Sequence, residues 1–456
     1  MAPHVKAMCT VLLGVASLVQ VQAVCTAGQL DTTFGGIKAA GYVQVSPMIF
    51  AATNANSEGL VVDATGSIWS ADTVGSDSLG NTTYGLVKSA RGGIRDASLG
   101  GFGYIAPFGQ IANGSSNLLI DAGGNVLMET SGATGVTLFR YASDGTPDTG
   151  FGVSGMATVG YTSSWFGISA VAQQPSDGKY LVVTTANNPS ATVPNQVQPV
   201  VTRFNADGSV DTAFGSGGLS YLFPASVADP TAFGRGTDVV ALANGLILVT
   251  GRIKLSQSGY FVPFIARLLA NGALDTTFGT NGGFSVVDLG RWAVGRRLAI
   301  QPDGKIVVVG GIVDASTGYN DVAALRFNAD GTQDTTFGTN GLSIAPLGYG
   351  TFGYSVALQD NGKIVIGSLE YLDAAQATTA GLVIRLTTSG QLDSAFGNGG
   401  YATVVAPDGM PVSGDEVALD GAHKIIYKIN YNNPAPRVDG ASYLVRIDTG
   451  IGKGCH

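Results

Sequence analysis

The 456-residue sequence predicts an all-β fold, a seven-bladed β-propeller built from four-stranded repeats of about 60 residues. Three observations predict it. A short phrase, Asp followed by two small residues, Phe or Leu, and Gly, occurs at Asp31, Asp96, Asp148, Asp211, Asp275, Asp334 and Asp393, with spacings of 65, 52, 63, 64, 59 and 59 residues. Between the phrases lie strand-length runs rich in Val, Ile, Leu and Ala, separated by Asp-Gly and Asn-Gly turn chemistry. No stretch after the N-terminal segment shows a helical period, which leaves no room for the crossover helices of a parallel sheet.

The clearest repeat runs from Gly282 to Gly338 and reads as GGFSVVDLG, RRLAIQPDGKIVVVGGI, VAALRFNADG and QDTTFG. It holds four strands, lettered a to d. The bc hairpin turns at Pro302-Asp303-Gly304 and recurs ahead of Lys179 and Lys363, with degenerate forms at Asp121 to Asn125, Asn244 to Leu246 and Asp420 to Lys424. In the phrase, the Asp is read as an acceptor for nearby backbone NH groups, the Phe as a plug between neighbouring sheets, and the Gly as a positive-φ position. Where the plug becomes Leu99, Phe102 is the candidate to fill the hole.

Counted from Gly41, the units are roughly 41–95, 103–147, 155–210, 218–274, 282–333, 341–392 and 400–448, one for each blade. The N-terminal segment 25–35 matches the material that should follow the last strand, so it is expected to close the ring after blade 7. Residues 1–23 read as a secretory signal peptide, with Lys6, an apolar run too short to span a bilayer, and Val21-Gln22-Ala23 as cleavage site. The mature chain, 24–456, is then one propeller that is secreted, periplasmic or on the cell surface. It keeps Cys25 and Cys455, which ring closure would bring together. A disulfide there would contribute about 4 to 5 kcal/mol on the chain-entropy model; a reactive thiol pair or intermolecular bridges are the alternatives.

These residues resemble the bacterial delta-60 repeat family, whose QPDGKIVVVGG and RFNADGTLDTTFG pattern is matched at Gln301 to Gly311 and Arg326 to Gly338. The resemblance covers nearly the whole mature chain and is most specific in blades 3 to 6. It implies a propeller and no particular activity.

Function must sit where the copies differ. Two faces are expected: one of tight repeating bc and da turns, and one of longer ab and cd loops that vary from blade to blade. The variable loops carry the candidate binding residues Trp165, Phe166, Arg235, Tyr260, Arg291, Trp292, Tyr319, Tyr349, Phe352, Tyr371 and Tyr431. Rings beside Asn, Asp and Arg suit stacking on sugars or anchoring a peptide, whereas Trp165, Phe166, Trp292 and Phe352 could equally cap the blades. Arg235, Arg291, Arg296 and Arg297 favour an acidic ligand, with Arg297 also placed to face a blade interface. No catalytic residue is assigned: the mature chain holds only His423 and His456, and the adjacent Asp415 and Glu416 read as a solvated pair. No cofactor or metal site is assigned. Calcium at Asn205, Asp207 and Asp211, or at Asn328, Asp330 and Asp334, competes with simple turn formation. With 24 basic against 32 acidic side chains there is no basic patch for nucleic acid. A monomer without a membrane span is the default. The expected function is non-enzymatic binding of a glycan, peptide or protein, with a secreted polysaccharide hydrolase or lyase, or a structural surface module, as alternatives.

Overall fold

The computed structural model describes residues 27–35, 42–44, 59–76, 82–101, 103–105, 115–163, 169–189, 196–223, 233–254, 259–406, 409–421, 423–431 and 442–449. They form seven antiparallel sheets, six of four strands and one of three. The three-stranded sheet, blade 1 (Leu60–Val62, Ile68–Ser76, Thr82–Ser89), gains a one-residue outer bridge between Leu86 and Ile105. Inner strands contact one another in blade order, and the inner strand of blade 7 meets that of blade 1, which closes the ring.

The blades are offset by one strand from the units read in the sequence. Phe284–Val286, the first strand of unit 282–333, pairs with Phe261–Leu268 of the preceding sheet. Blade 4 is therefore Phe233–Ala241, Ile247–Lys254, Phe261–Leu268 and Phe284–Val286. Blade 5 is Ala293–Ile300, Ile306–Val313, Asn320–Phe327 and Leu342–Ala345, and blade 6 is Thr351–Leu358, Ile364–Tyr371, Thr379–Leu386 and Tyr401–Val404. The boundaries 41–95, 103–147, 155–210, 218–274, 282–333, 341–392 and 400–448 all shift in the same sense. The cause is the phrase itself, whose two successive turns fold the chain back onto the edge of its own sheet.

Closure follows from the same offset. Tyr42–Gln44, at the start of the first unit, is the outer strand of blade 7, paired with Ser442–Ile447. Ahead of it, Leu30 bridges Ile447, Asp31 N donates to Arg446 O at 2.8 Å, and Asp448 N donates to Gln29 O at 2.9 Å. The segment 25–35 thus docks on the last strand as expected through its described part, 27–35. Cys25 and Cys455 lie outside the described residues, as does the segment 1–23.

The core is divided among the blade interfaces, one apolar cluster to each of the seven. Each holds one plug from the phrase: Phe34, Leu99, Phe151, Phe214, Phe278, Phe337 or Phe396. Leu99 fills its own hole between blades 1 and 2, and Phe102 lies outside the described residues.

Charges lock the six Phe plugs in place. In blade 5, Asp334 takes NH and OH of Thr336 on Oδ1, at 3.1 and 2.6 Å, and Lys305 and Arg326 on Oδ2, at 2.9 and 2.7 Å. The Arg326 guanidinium lies 4.6 Å over Phe337 and donates to Thr388 O of the next blade at 2.6 Å. Arg140, Arg203, Arg267, Arg385 and Arg446 repeat this arrangement, each on its own Asp and Phe. The turn that receives the plug must be glycine: at Gly331, φ is +86° and a Cβ would come within 2.6 Å of the Phe278 ring. The sequence-level reading of Asp as a turn acceptor holds but covers only half of that side chain.

These carboxylates tie the ring to pH. Burial alone would raise the pKa of Asp31, but hydrogen bonds from Lys424 and Thr33 and the charge of Arg446 outweigh it and hold it at about 2. Asp211 and Asp393 are lowered likewise, by Lys and Arg against burial. A folded-state pKa below the unfolded value of about 4 stabilises the fold above pH 4, and that stability is lost as pH falls toward 2. Asp238 and Asp321, raised to about 6 chiefly by burial, act in the opposite sense and favour the fold as they protonate between pH 7 and 5. The thermal midpoint should therefore be highest near pH 5 and drop steeply below pH 4. A midpoint still rising at pH 3 in a calorimetric series would contradict the assignment.

Candidate binding face

The two faces differ as expected. On one lie the Asp-Gly hairpins and the phrases, with their carboxylates engaged as above. Asp207 and Asp330, the middle ligands of the calcium alternative, accept NH and OH from Ser209 and Thr332 at 2.7 to 2.9 Å, so each closes an ordinary Asx turn. Among the described residues no three His, Cys, Asp or Glu side chains converge as a metal would need. His423 also sits on this face, with Nδ1 at 3.3 Å from Asp360.

The other face holds the connections between blades and the loops between second and third strands. Its described aromatics concentrate on blades 4 to 6. Tyr319 and Tyr349 meet edge to face at 6.2 Å, and Tyr349 is 43% exposed. Tyr319 Oη donates to Ala374 O at 3.3 Å, and Gln376 Nε2 donates to Tyr349 O at 3.0 Å, joining the loops of blades 5 and 6. The Tyr371 backbone pairs with Gly350 at the same place. Tyr260 Oη donates to Asp288 Oδ1 at 2.9 Å, which also takes Gly290 N at 2.9 Å and so fixes the connection from blade 4 to blade 5.

Nearer the ring centre, Trp292 lies 6.3 Å from Phe352, and Phe352 lies 5.1 Å from Tyr354. Phe352 packs against Gly311, where a Cβ would meet its ring at 2.6 Å. It therefore caps blade 5, as the alternative reading of that residue holds. Arg296 stacks on Tyr354 at 4.5 Å, Arg235 on Phe233 at 5.4 Å and Arg252 on Phe261 at 5.1 Å. Trp165, Phe166 and the side chain of Tyr431 lie outside the described residues.

One sequence-level expectation needs correction, that of Glu416, and of the two readings of Arg297 the blade interface holds. Arg297 does not reach the face: it is buried, donates to Thr237 O of blade 4 at 2.8 Å and pairs with Glu416 at 3.3 Å. Glu416 is thus held in an ion pair between inner strands instead of being solvated, because a bulge after Gly414 turns it inward. Asp415's side chain lies outside the described residues. Arg252, Phe233, Phe261 and Tyr354 were missed. Arg252 stands directly across from Arg235 in the sheet, a pairing visible only once the register is known.

Three carboxyls are pushed toward neutrality. Asp238 accepts Leu298 N of blade 5 at 2.7 Å and Val239 N at 2.9 Å, which makes it a staple between inner strands. Asp321 is raised to about 6 by burial and by the charge of Asp314, against the pull of Arg291. Glu370 is raised by burial against a hydrogen bond from Thr403 at 3.0 Å.

The comparisons agree on the fold. A family model described as a domain of unknown function (DUF5122) beta-propeller matches residues 176–214, 242–278, 301–337 and 359–396, each match running from a Gly-containing hairpin through the next phrase. Among solved structures, polysaccharide lyase Uly1 is 11% identical, with a TM-score of 0.51 over 94% of this chain and 98% of that one. A protein of unknown function from Dyadobacter fermentans is 13% identical, with a TM-score of 0.45 over 91% and 100%. An α-L-arabinanase from Penicillium chrysogenum is 12% identical, with a TM-score of 0.47 over 76% and 98%. Identities this low describe architecture alone, and no curated protein matches. Through these four repeats, the chain matches the DUF5122 beta-propeller domain, and its fold is a β-propeller.

Proposed function

We propose that this is an exported, non-enzymatic propeller that binds a glycan, peptide or protein partner through its variable loop face, over blades 4 to 6. One observation carries the reading: on the repeating face the Asp, Lys and Arg side chains serve blade packing, whereas the variable face presents the joined Tyr319 and Tyr349 rings and, on the connection from blade 4 to blade 5, Trp292. Half-exposed rings on rigid strand ends present contact area at little cost in conformational entropy. Cleavage after Ala23 and a Cys25–Cys455 disulfide belong to the same proposal. They are tested by N-terminal sequencing, expected to begin at Val24, and by an intact mass short of two hydrogens.

A glycan and peptide array of the exported protein tests the binding. The Trp292→Ala and Tyr349→Ala variants should each bind at least tenfold more weakly, a loss of about 1.4 kcal/mol or more. Tyr349 is exposed enough that its replacement leaves the fold intact. Unchanged binding in both would remove this face from consideration. The second reading, a polysaccharide hydrolase or lyase, is favoured by the raised carboxyls of Asp321 and Glu370. It predicts turnover of a bound glycan that Asp321→Asn abolishes.

A further inference from the structure

We infer that the cleft between blades 4 and 5 on the variable face is an anion subsite, built by Arg235, Arg252 and Arg296, that takes the carboxylate or sulfate groups of an acidic glycan; this rests on the reading of that face as the binding face. Arg235 and Arg252 are opposite partners on adjacent strands, so their side chains leave the same side of blade 4. That side is the one toward blade 5, because the alternating Gly234 and Gly236 face Phe223, Pro199 and Val183 of blade 3. Arg296 comes from the neighbouring inner strand: it is the extra residue of the bulge between Gly295 and Arg297 of blade 5, and its guanidinium reaches on to Tyr354 of blade 6.

The three guanidiniums are held by rings. Phe233 and Phe261, under Arg235 and Arg252, meet edge to face at 5.8 Å, and Tyr354 lies under Arg296. All three arginines keep partial exposure, so solutes can reach them. Burial, and after it the charges of Arg235 and Arg296, lower the Arg252 pKa from the usual 12.5 to about 10. The six arginines on the repeating face each have an aspartate, whereas Arg252 has no ion pair among the described residues and its buried Nε makes no hydrogen bond. Arg252, beside the charges of Arg235 and Arg296 and with no ion pair of its own among the described residues, is destabilised until an anion arrives. Its planar fork of NH donors matches the paired oxygens of carboxylate and sulfate. The flanking Phe352, Tyr354 and Trp292 favour a sugar as the carrier of that charge.

The test has two arms on the exported protein. In the first, inorganic sulfate and chloride are compared at equal ionic strength by thermal shift. Sulfate should raise the melting temperature of the parent more than chloride does, and the excess should vanish in Arg252→Gln; no excess in the parent would overturn the subsite. In the second, calorimetry compares hexagalacturonate, its methyl ester, a sulfated galactan oligomer and hexaglutamate. The acidic sugars should bind at least tenfold tighter than the ester, and Arg252→Gln should erase that difference. Preference between galacturonate and the sulfated oligomer identifies the anionic group. Tighter binding of hexaglutamate would overturn the glycan assignment. Equal binding of acid and ester would overturn the subsite while leaving the binding face standing, and an array with no ligand at all would remove the face itself.

Discussion

Replacing Asp72 with alanine is expected to destabilise the ring by about 3 to 5 kcal/mol, the range for removing one partner of a buried ion pair. Asp72, in the second strand of blade 1, and Lys428, in strand Ile425–Tyr431 of blade 7, are both fully buried, with Nζ and Oδ1 3.1 Å apart. Ser70 Oγ donates to the other carboxylate oxygen at 2.6 Å, and Lys428 also donates to Ala71 O. The pair crosses the interface between blades 7 and 1, beside the sheet in which the two ends of the chain meet through Tyr42–Gln44 and Ser442–Ile447 without a peptide link. Asp72 pairs across the sheet with Gly85, which has no side chain to replace the lost carboxylate. Alanine would leave the ammonium without this carboxylate in a dry site. The double replacement Asp72→Leu, Lys428→Met removes both charges and should be more stable than Asp72→Ala. Urea unfolding measures the parent, these two variants and the singles Asp72→Leu and Lys428→Met. If the loss in the double variant equalled the sum of its single losses, the pair would carry no coupling and the account would be wrong.

A loss of similar size is expected for Phe337→Ala, about 3 to 5 kcal/mol. The ring is fully buried between blades 5 and 6 among Val307, Val309, Ile364, Ile366 and Leu382, with Arg326 on its face and Gly390 against its edge. Removing it opens a cavity that the two sheets cannot close without breaking the Arg326 bond to Thr388. Phe337→Leu should cost only about 1 kcal/mol, because leucine keeps most of the volume. Blades 1 and 2 already run this substitution at Leu99. Equal losses for alanine and leucine would show that the aromatic face under Arg326 matters more than the filled volume.

How far the sequence carried the reading varies from residue to residue. The period of the phrase, the hairpin turns and the Phe plug follow from local chemistry: turn residues at fixed offsets and strand-length apolar runs. The count of seven and the ring closure through residues 27–35 follow from those, because a repeat that cannot bury its faces alone must stack and close. The partition of strands into blades does not follow. Phe284–Val286 is near in sequence to the strand after it, but its hydrogen bonds go to the strand before it, and local pattern carries no information on which side a pleated edge will join.

The same limit divided the arginines. Those that stand eight residues ahead of Asp148, Asp211, Asp275, Asp334 and Asp393 could have been read as structural from their spacing alone. Arg235, Arg252, Arg296 and Arg297 carry no such mark. A bulge of one residue sends Arg296 to the cleft and Arg297 into the blade interface, and register alone places Arg252 beside Arg235. Local propensity and repetition determine which elements form and how many there are. The sheet register and its bulges decide which side chains meet, because a shift of one residue turns every side chain to the opposite face.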